Sequence, residues 1–470
     1  MKKENKSGYK FIWSNYQAIY SIEANLESLA KFPQMAWNRL ENIIHISRKN
    51  TIYTYHSIND LKNDAIRGRL FFNKKFREKL FKDSEQEINK CKKLYERIKK
   101  QDLKNIDDEK CLELLSKIYN QYSRVIAYFR VTQAEGTRLL IKKIKKFVTD
   151  EEMSTLIIPP QMDPISKELK DWQKILKMHF KKSIIMNYCY KYPWIVAAHF
   201  STSEIMDTLK HKYLYEKKHL KFRDTRKEKA LLRVKQKKII GIKPGVKDLA
   251  KLAQNLALMR LKIKSCWAGS DFYLIFLFSE ISKRTGENIS DIFKYYLFNE
   301  IVALLKKKKK LTVMEKLKRD ACFVGLWKNN KIRFFSGKDG EQTAKKELGE
   351  LYKIKKFKKV LGTAANKGYL KNQAYVLMSN DSEAARIARK EFKKGEVLIT
   401  QMTQPNIMDI ASRAGAIVTD EGGLLSHAAI ISRELNIPCV VGTNFATSII
   451  KTGNLIEVDA DNGIIKILNK

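Results

Sequence analysis

Residues Asp420 to Gly442 read DEGGLLSHAAIISRELNIPCVVG, and their succession of loop, helix and strand decides how the last quarter of the chain folds. Immediately before them Ala416 to Thr419 (AIVT) is a short apolar run with the character of a buried strand. Asp420 to Leu425 is a loop with two adjacent glycines, and the periodicity from His427 to Leu435 predicts a helix. Asn436 can end that helix in a left-handed conformation, and Pro438 prevents its return. Cys439 to Val441 then reads as the next strand. Further out, Ala374 to Met378 and Glu396 to Thr400 are strands, and Pro405 suits the first turn of a helix over 406–412. Ile456 to Val458 and Ile464 to Leu468 pair through Asp461-Asn462-Gly463. Alternating strands and helices predict a small parallel sheet with right-handed crossovers, whose ligands bind beyond the carboxyl ends of the strands.

The Gly422-Gly423 loop lies at such an end. Glycines permit backbone conformations closed to other residues and clear bulk from the start of the following helix. His427 falls in the first helical turn, where free N–H groups and the positive dipole end attract an anion. A neutral imidazole, with a reference pKa near 6.5, is nucleophilic at physiological pH and suited to carry a phosphoryl group. The plainer reading is that His427 fills a helix N-terminal slot. Ser426 either caps the helix or donates to a phosphate oxygen. Thr419 and Thr443, at or just past strand ends, are candidate phosphate contacts. Arg433 lies six residues beyond His427, about 9 Å along the helix, so it either meets a donor or docking partner or is a structural cation. Glu421 would repel a phosphate and is expected to point away or hold a partner's cation. The other six histidines lack such a context.

The rest of the chain has a different texture. Of 470 residues, 92 are Lys or Arg and 51 Asp or Glu, a formal charge of +41. Residues 371–470 hold 11 of each sign, so the whole excess lies in residues 1–370. Hydrophobic content of 44% excludes global disorder, and 8 Pro with 20 Gly argue against a turn-dense all-β chain. Six scattered cysteines form no Cys-x-x-Cys pair and stand near no histidine at ligand spacing, so no metal site is expected. No apolar stretch has the length of a signal core or membrane span, which reads as a soluble cytoplasmic protein. From about Lys10 to Glu350 the pattern is helical, as in Glu87 to Lys99 and Glu113 to Phe129. Cys322 to Trp327 and Lys331 to Phe335 flank Asn329-Asn330 as a hairpin, a charged helix follows, and Lys353 to Lys359 reads as a linker. The fold class expected is α+β and multidomain. A large all-α region over 1–320 leads through a hairpin, helix and linker over 321–358 to a small α/β domain over 359–470.

Two basic stretches stand out in the helical region. Arg67, Arg69, Lys74, Lys75 and Arg77 interleave with Phe71, Phe72 and Phe76, and Lys306 to Lys310 is a second run. Such mixtures occur in nucleic-acid binders and equally on solvated helix faces.

The quoted stretch closely resembles the swivelling phosphohistidine, or mobile, domain of the phosphoenolpyruvate-utilising enzymes, a family that includes phosphoenolpyruvate synthase, pyruvate phosphate dikinase and rifampin phosphotransferase. The pattern is Gly-Gly, three residues, His-Ala-Ala, an apolar pair, a small residue and Arg, continuing as Glu-Leu-x-Ile-Pro-x-Val-Val-Gly. Gly422, Gly423, His427, Arg433, Pro438 and Gly442 occupy matching positions, and the resemblance implies that His427 is the phosphorylated residue. It extends more weakly over about 360–468. Leu425 stands where the dikinase and synthase branches carry a regulatory Thr, Leu-Leu-Ser-His is closer to the rifampin-phosphotransferase side, and Asn372 and Ala460 replace glycines. The resemblance implies a swivelling phosphotransferase component: His427 takes a phosphoryl group from ATP on a separately encoded ATP-grasp partner, or from phosphoenolpyruvate, with magnesium at that partner. It passes the group to pyruvate or another small-molecule acceptor. No cofactor is assigned to this chain, and neither an ATP-grasp module nor a C-terminal barrel is expected in it. Two alternatives stand beside this reading, a regulatory or docking protein with a retained swivel domain, and a basic helical nucleic-acid-binding protein.

Overall fold

The computed structural model describes residues 8–16, 18–35, 40–49, 51–197, 199–219, 224–352, 359–378, 382–403, 407–423 and 426–468. In chain order the N-terminal region runs β1 (Tyr9–Tyr16), α1 (Ile19–Lys31), β2 (Asn42–Arg48), β3 (Thr51–Ser57), α2 (Ile58–Arg67), α3 (Lys74–Lys100), α4 (Asp108–Val131), α5 (Ala134–Ile144), α6 (Asp150–Leu156), α7 (Pro164–Leu176), α8 (Lys182–Lys191), α9 (Thr202–His219), α10 (Thr225–Ile242), α11 (Lys247–Trp267), α12 (Ser270–Thr285), α13 (Ile289–Tyr295), α14 (Phe298–Lys307), α15 (Val313–Ala321), β4 (Phe323–Lys328), β5 (Lys331–Ser336) and α16 (Gly337–Leu348). The C-terminal domain follows as β6 (Lys359–Leu361), β7 (Thr363–Asn366), β8 (Tyr369–Leu377), α17 (Ser382–Glu391), β9 (Val397–Thr400), α18 (Met408–Ala411), β10 (Ala416–Thr419), α19 (His427–Leu435), β11 (Cys439–Val441), α20 (Ala446–Ile449), β12 (Leu455–Asp459) and β13 (Ile464–Ile467).

The helical periodicity holds from Ile58 onward. The apolar stripes of α3 and α4, among them Ile88, Cys91, Tyr95, Leu115, Ile118 and Val125, enter one large core with Trp172, Phe272, Phe278 and Tyr296. Among the described residues no helix is long and apolar enough to cross a membrane; the apolar run Phe272 to Phe278 is a buried core helix.

Before Ile58 the expectation of an all-α region needs correction. Residues 9–57 contribute three strands, and the expected hairpin, now Phe323–Lys328 with Lys331–Ser336, completes their antiparallel sheet in the order β1-β3-β2-β4-β5. The division at 320/321 therefore cuts through one sheet. The β2 strand is covered on both faces: Ile43 packs with Ile19, Ile22 and Leu26 of α1, while Ile44 and Ile46 pack with Ala344 and Leu348 of α16. Gly325 makes the first contact possible, because a Cβ there would meet Ile22 Cγ2 at 2.4 Å.

On the α1 face this sheet buries a polar layer. His45 Nδ1 lies 2.8 Å from Thr54 Oγ1 and Nε2 3.3 Å from Asn25 Oδ1, while Arg130 of α4 donates to Ser28 Oγ and to Asn25. Burial holds His56 neutral, its pKa lowered to about 3 with the Arg130 charge adding to the effect, and His45 is lowered in the same direction. A histidine depressed in the fold takes up its proton more readily when unfolded. Its contribution to stability is complete above about 6.5 and is lost as pH falls toward 3. Asp64, pushed up to about 6 by burial, acts in the opposite sense. The diagnostic is therefore a comparison: between pH 7 and 4 the thermal midpoint of His56→Phe should fall less steeply than that of the wild type. Parallel curves would remove His56 from the account.

The C-terminal domain has the expected parallel core. Its mixed sheet runs β6-β13-β12-β8-β9-β10-β11-β7, with β8, β9, β10 and β11 parallel in register. Both faces are covered, one by α17, α18 and α19 and the other by α20, so AIVT is buried at all four positions. The helix expected at 406–412 is the short Met408–Ala411, and Pro405 lies outside the described residues, as do Leu425 and 353–358 of the expected linker.

Candidate functional site at the carboxyl ends of the parallel strands

Thr419 ends β10, and the chain turns through Asp420 to Gly423 before Ser426 opens α19. Ser426 has an extended backbone (φ −70°, ψ 160°), and its hydroxyl accepts from Ala429 N at 3.4 Å. His427 is therefore the first helical residue, at the end where unpaired N–H groups gather; its side chain lies outside the described residues. The helix closes as expected, with Asn436 left-handed at φ 54°.

The two glycines do different things. Gly422 has φ +116°, and a Cβ there would stand 2.9 Å from Ser426 Oγ. Gly423 has no such backbone requirement, and a side chain there would meet open space, so only Gly422 is required by conformation. Gly422→Ala should strain the loop by about 1–3 kcal/mol and dislodge the Ser426 cap. Labelling of His427 should then slow, whereas Gly423→Ala should leave both cap and labelling rate near wild type. Equal effects of the two substitutions would contradict this assignment.

The two threonines hold the scaffold. Thr419 Oγ1 donates to Glu421 O at 2.6 Å, and Thr443 Oγ1 lies 3.1 Å from Thr419 O and 3.0 Å from Asp420 Oδ1. Neither hydroxyl is turned to an external phosphate in this arrangement. Asp420 is the hub that the sequence reading passed over. Its carboxylate accepts from Thr443 Oγ1, from Thr447 N at 3.2 Å and from the Thr447 hydroxyl, and its carbonyl takes the Asn444 N–H at 2.9 Å. It thereby ties the loop after β10 to the loop after β11. Burial raises its pKa, and these donors together with the Ala446 N–H oppose the rise. Arg433 is exposed in the last turn of α19, at the far end from His427. The structure thus gathers Thr419, Gly422, Gly423, Ser426, His427 and Thr443 and leaves Arg433 apart.

This edge of the sheet faces the N-terminal region. Phe445 lies against Phe11 with ring centroids 4.9 Å apart, and Ser448 Oγ is 3.5 Å from the Tyr53 hydroxyl. On the other flank Tyr215 of α9 packs into the C-terminal domain's core beside α18. Glu421 follows Asp420 in the loop after β10. Burial pushes its carboxyl up to about 7, against the pull of Lys264 and Arg260 on α11. The cations that Glu421 faces therefore belong to this chain.

Among the described residues no group of three or more His, Cys, Asp and Glu side chains is placed to hold a metal ion. The basic–aromatic cluster separates into core and local pairing: Phe71 is fully buried, Arg77 donates to its carbonyl, and Arg67 pairs with Asp64 at 3.1 Å.

A parallel sheet here delivers a Gly-Gly turn into a helix that begins on His427. Residues 392–463 match the family described as "PEP-utilising enzyme, mobile domain". The chain is 47% identical over 106 residues to the probable phosphoenolpyruvate synthase of Staphylothermus marinus, covering 23% of this chain and 12% of that protein. It is 56% identical over 73 residues to the phosphoenolpyruvate synthase of Pyrococcus furiosus, covering 16% and 9%. The chain thus spans a small fraction of these relatives' length. A solution structure of Enzyme I aligns at 13% identity over 62% of this chain and 82% of that one, with a TM-score of 0.21, too low to bear on the fold.

Proposed function

We propose that the C-terminal domain is a phosphoryl carrier and that His427 bears the group. The observation that carries this reading is the position of His427 as the first residue of α19, directly after the Gly422 turn and the Ser426 cap. An anion formed there meets the free N–H groups of the helix start, which contribute roughly 0.3–1 kcal/mol or more. Passing the group through a covalent intermediate divides one transfer into two easier ones. The imidazole attacks the donor's phosphorus and the donor's leaving oxygen departs with the electron pair. In the second half an acceptor oxygen attacks, the P–N bond breaks, and the ring nitrogen recovers its pair and a proton.

In this reading the donor is phosphoenolpyruvate, or ATP held with magnesium by a separately encoded ATP-grasp protein, and the acceptor is pyruvate or another small molecule. Incubation with labelled phosphoenolpyruvate, and separately with labelled ATP plus such a partner, should transfer acid-labile label in one arm. Absence of label in both arms would overturn the carrier reading.

A second reading, binding of a polyanion by the basic N-terminal region, has one observation in its favour: Lys92, Lys93, Arg97 and Lys100 line an open groove on α3 with Glu96 as the only carboxylate among its lining residues. It calls for binding that weakens steeply with salt.

A further inference from the structure

Helix α15 is mounted with its apolar side outward. With about 3.6 residues per turn, Val313, Met314, Leu317 and Ala321 share one arc, and Glu315, Lys316, Arg319 and Asp320 share the other. The polar arc is tied to the body. Lys316 Nζ lies 3.0 Å from Glu287 Oε1 and 2.7 Å from Asp291 Oδ2, and Arg319 forks onto Glu300 at 2.7 and 2.6 Å. The apolar arc faces out: Val313 is 74%, Met314 61% and Leu317 59% exposed, and no residue of α15 is buried. An amphipathic helix ordinarily turns its apolar stripe to the core. Turning α15 that way would break both charge-assisted pairs and leave the buried Glu287 without its cation. Ion pairs therefore hold the apolar arc in water.

The chain enters α15 from Lys306 to Lys310, all five exposed. Lys310 donates to the Gly286 carbonyl at 2.7 Å, and the side chains of the other four make no hydrogen bond or ion pair among the described residues. Lys318, also exposed, borders the apolar arc one turn beyond Met314. Glu287, Asp291 and Glu300 are engaged by Lys316 and Arg319, and Glu315 caps the helix through Thr312 N at 2.7 Å. The lysine run keeps its charge free for a partner.

An apolar ridge beside free lysines calls for a partner that is anionic at its surface and apolar beneath. Three side chains on a nine-residue helix fall far short of the roughly 800 Å² per partner that a stable protein interface buries. A second copy would also set the same cations against these. Nucleic acid would take the lysines through its phosphates and leave the apolar arc in water. An anionic bilayer meets both needs: its headgroups attract lysines without a fixed geometry, and its acyl boundary accepts a few apolar side chains while the lysine stems reach back to the interface.

We propose that α15 and the Lys306 to Lys310 run form a peripheral membrane-binding element, which sets Val313, Met314 and Leu317 into the headgroup boundary of an anionic lipid surface. This inference does not rest on the carrier reading of His427.

The test uses the full chain and vesicles of phosphatidylcholine, with and without phosphatidylserine. All six native cysteines are buried, so a polarity-sensitive dye can be attached to Val313→Cys. Its emission should move to the blue with the phosphatidylserine vesicles and stay unchanged with phosphatidylcholine alone. In the unlabelled chain, Met314→Gln together with Leu317→Gln keeps helix propensity and should weaken binding to the anionic vesicles at least ~10-fold. Lys306→Gln, Lys307→Gln and Lys309→Gln together should also weaken it at least ~10-fold, about fivefold being expected of each lysine near an anionic surface. Neither set is buried, so the thermal midpoints should match the wild type, and the dye reports the contact whatever the variants' stability. Failure to bind anionic vesicles, or dye emission that does not move, overturns the proposal. Binding untouched by Met314→Gln with Leu317→Gln overturns it as well, assigning the attraction to basic surface elsewhere. A blue shift with polyglutamate and none with vesicles overturns it in favour of an acidic protein partner.

Discussion

Replacing His427 by Asn is expected to abolish phosphoryl transfer while leaving the chain folded. The carrier nucleophile has no substitute in this loop: Ser426 is engaged in capping, the hydroxyls of Thr419 and Thr443 are committed to the scaffold, and a hydroxyl lacks the basicity of imidazole at neutral pH. Loss of the nucleophile in a two-step transfer removes at least ~10³-fold of the rate. Stability should change by less than about 1 kcal/mol, because the capping interaction belongs to Ser426 and the first helical position tolerates most residues. Transfer rate and thermal midpoint, measured together, check both halves. Activity within tenfold of wild type would remove His427 from the mechanism, and a collapsed midpoint would make it a structural residue.

The second large effect is expected at Asp420. Asp420→Ala strands the Thr447 N–H and the Thr447 hydroxyl, which now meet one buried carboxylate, while the Thr443 hydroxyl keeps the Thr419 carbonyl at 3.1 Å. Unsatisfied buried donors cost about 1–3 kcal/mol each, with partial relief from entering water, so a loss of about 2–4 kcal/mol is expected. All six tryptophans lie before residue 328, which makes intrinsic fluorescence a poor probe of this domain. Amide hydrogen exchange is the suitable one: protection at Thr443, Asn444 and Thr447 should fall by roughly 10²-fold, and labelling of His427 should slow with it. Asp420→Asn, which keeps one acceptor oxygen, should lie between wild type and Ala. Unchanged protection in Asp420→Ala would show that the loops are held together by other contacts.

The C-terminal domain was legible in the sequence because its signals are local. Asn436, Pro438 and the Asp461-Asn462-Gly463 turn each fix the backbone within a few residues, and the short apolar strands between them have one way to pair. The N-terminal sheet was not legible for the opposite reason. The β2 strand is buried on both faces and shows no clean alternation, β1 carries an irregularity between Phe11 and Trp13, and β2 pairs with β4 nearly 300 residues away. A signal was present in the β-branched and aromatic run Thr51 to Ser57, close behind the apolar run that ends before Arg48, but the long helical stripes that follow overshadowed it. In the site, the helix start and Gly422 could be placed from sequence. Asp420 could not, since its worth depends on Thr443 and Thr447 arriving from another loop.

The direct test of His427 as the proposed carrier is peptide mapping of the full chain by mass spectrometry after exposure to phosphoenolpyruvate or to ATP with its partner, at alkaline pH, where phosphohistidine survives. One added phosphoryl group is expected, on the peptide containing His427, removed by brief acid treatment and absent from His427→Asn. A phosphoryl group on any other residue, or one that persists in His427→Asn, would contradict it.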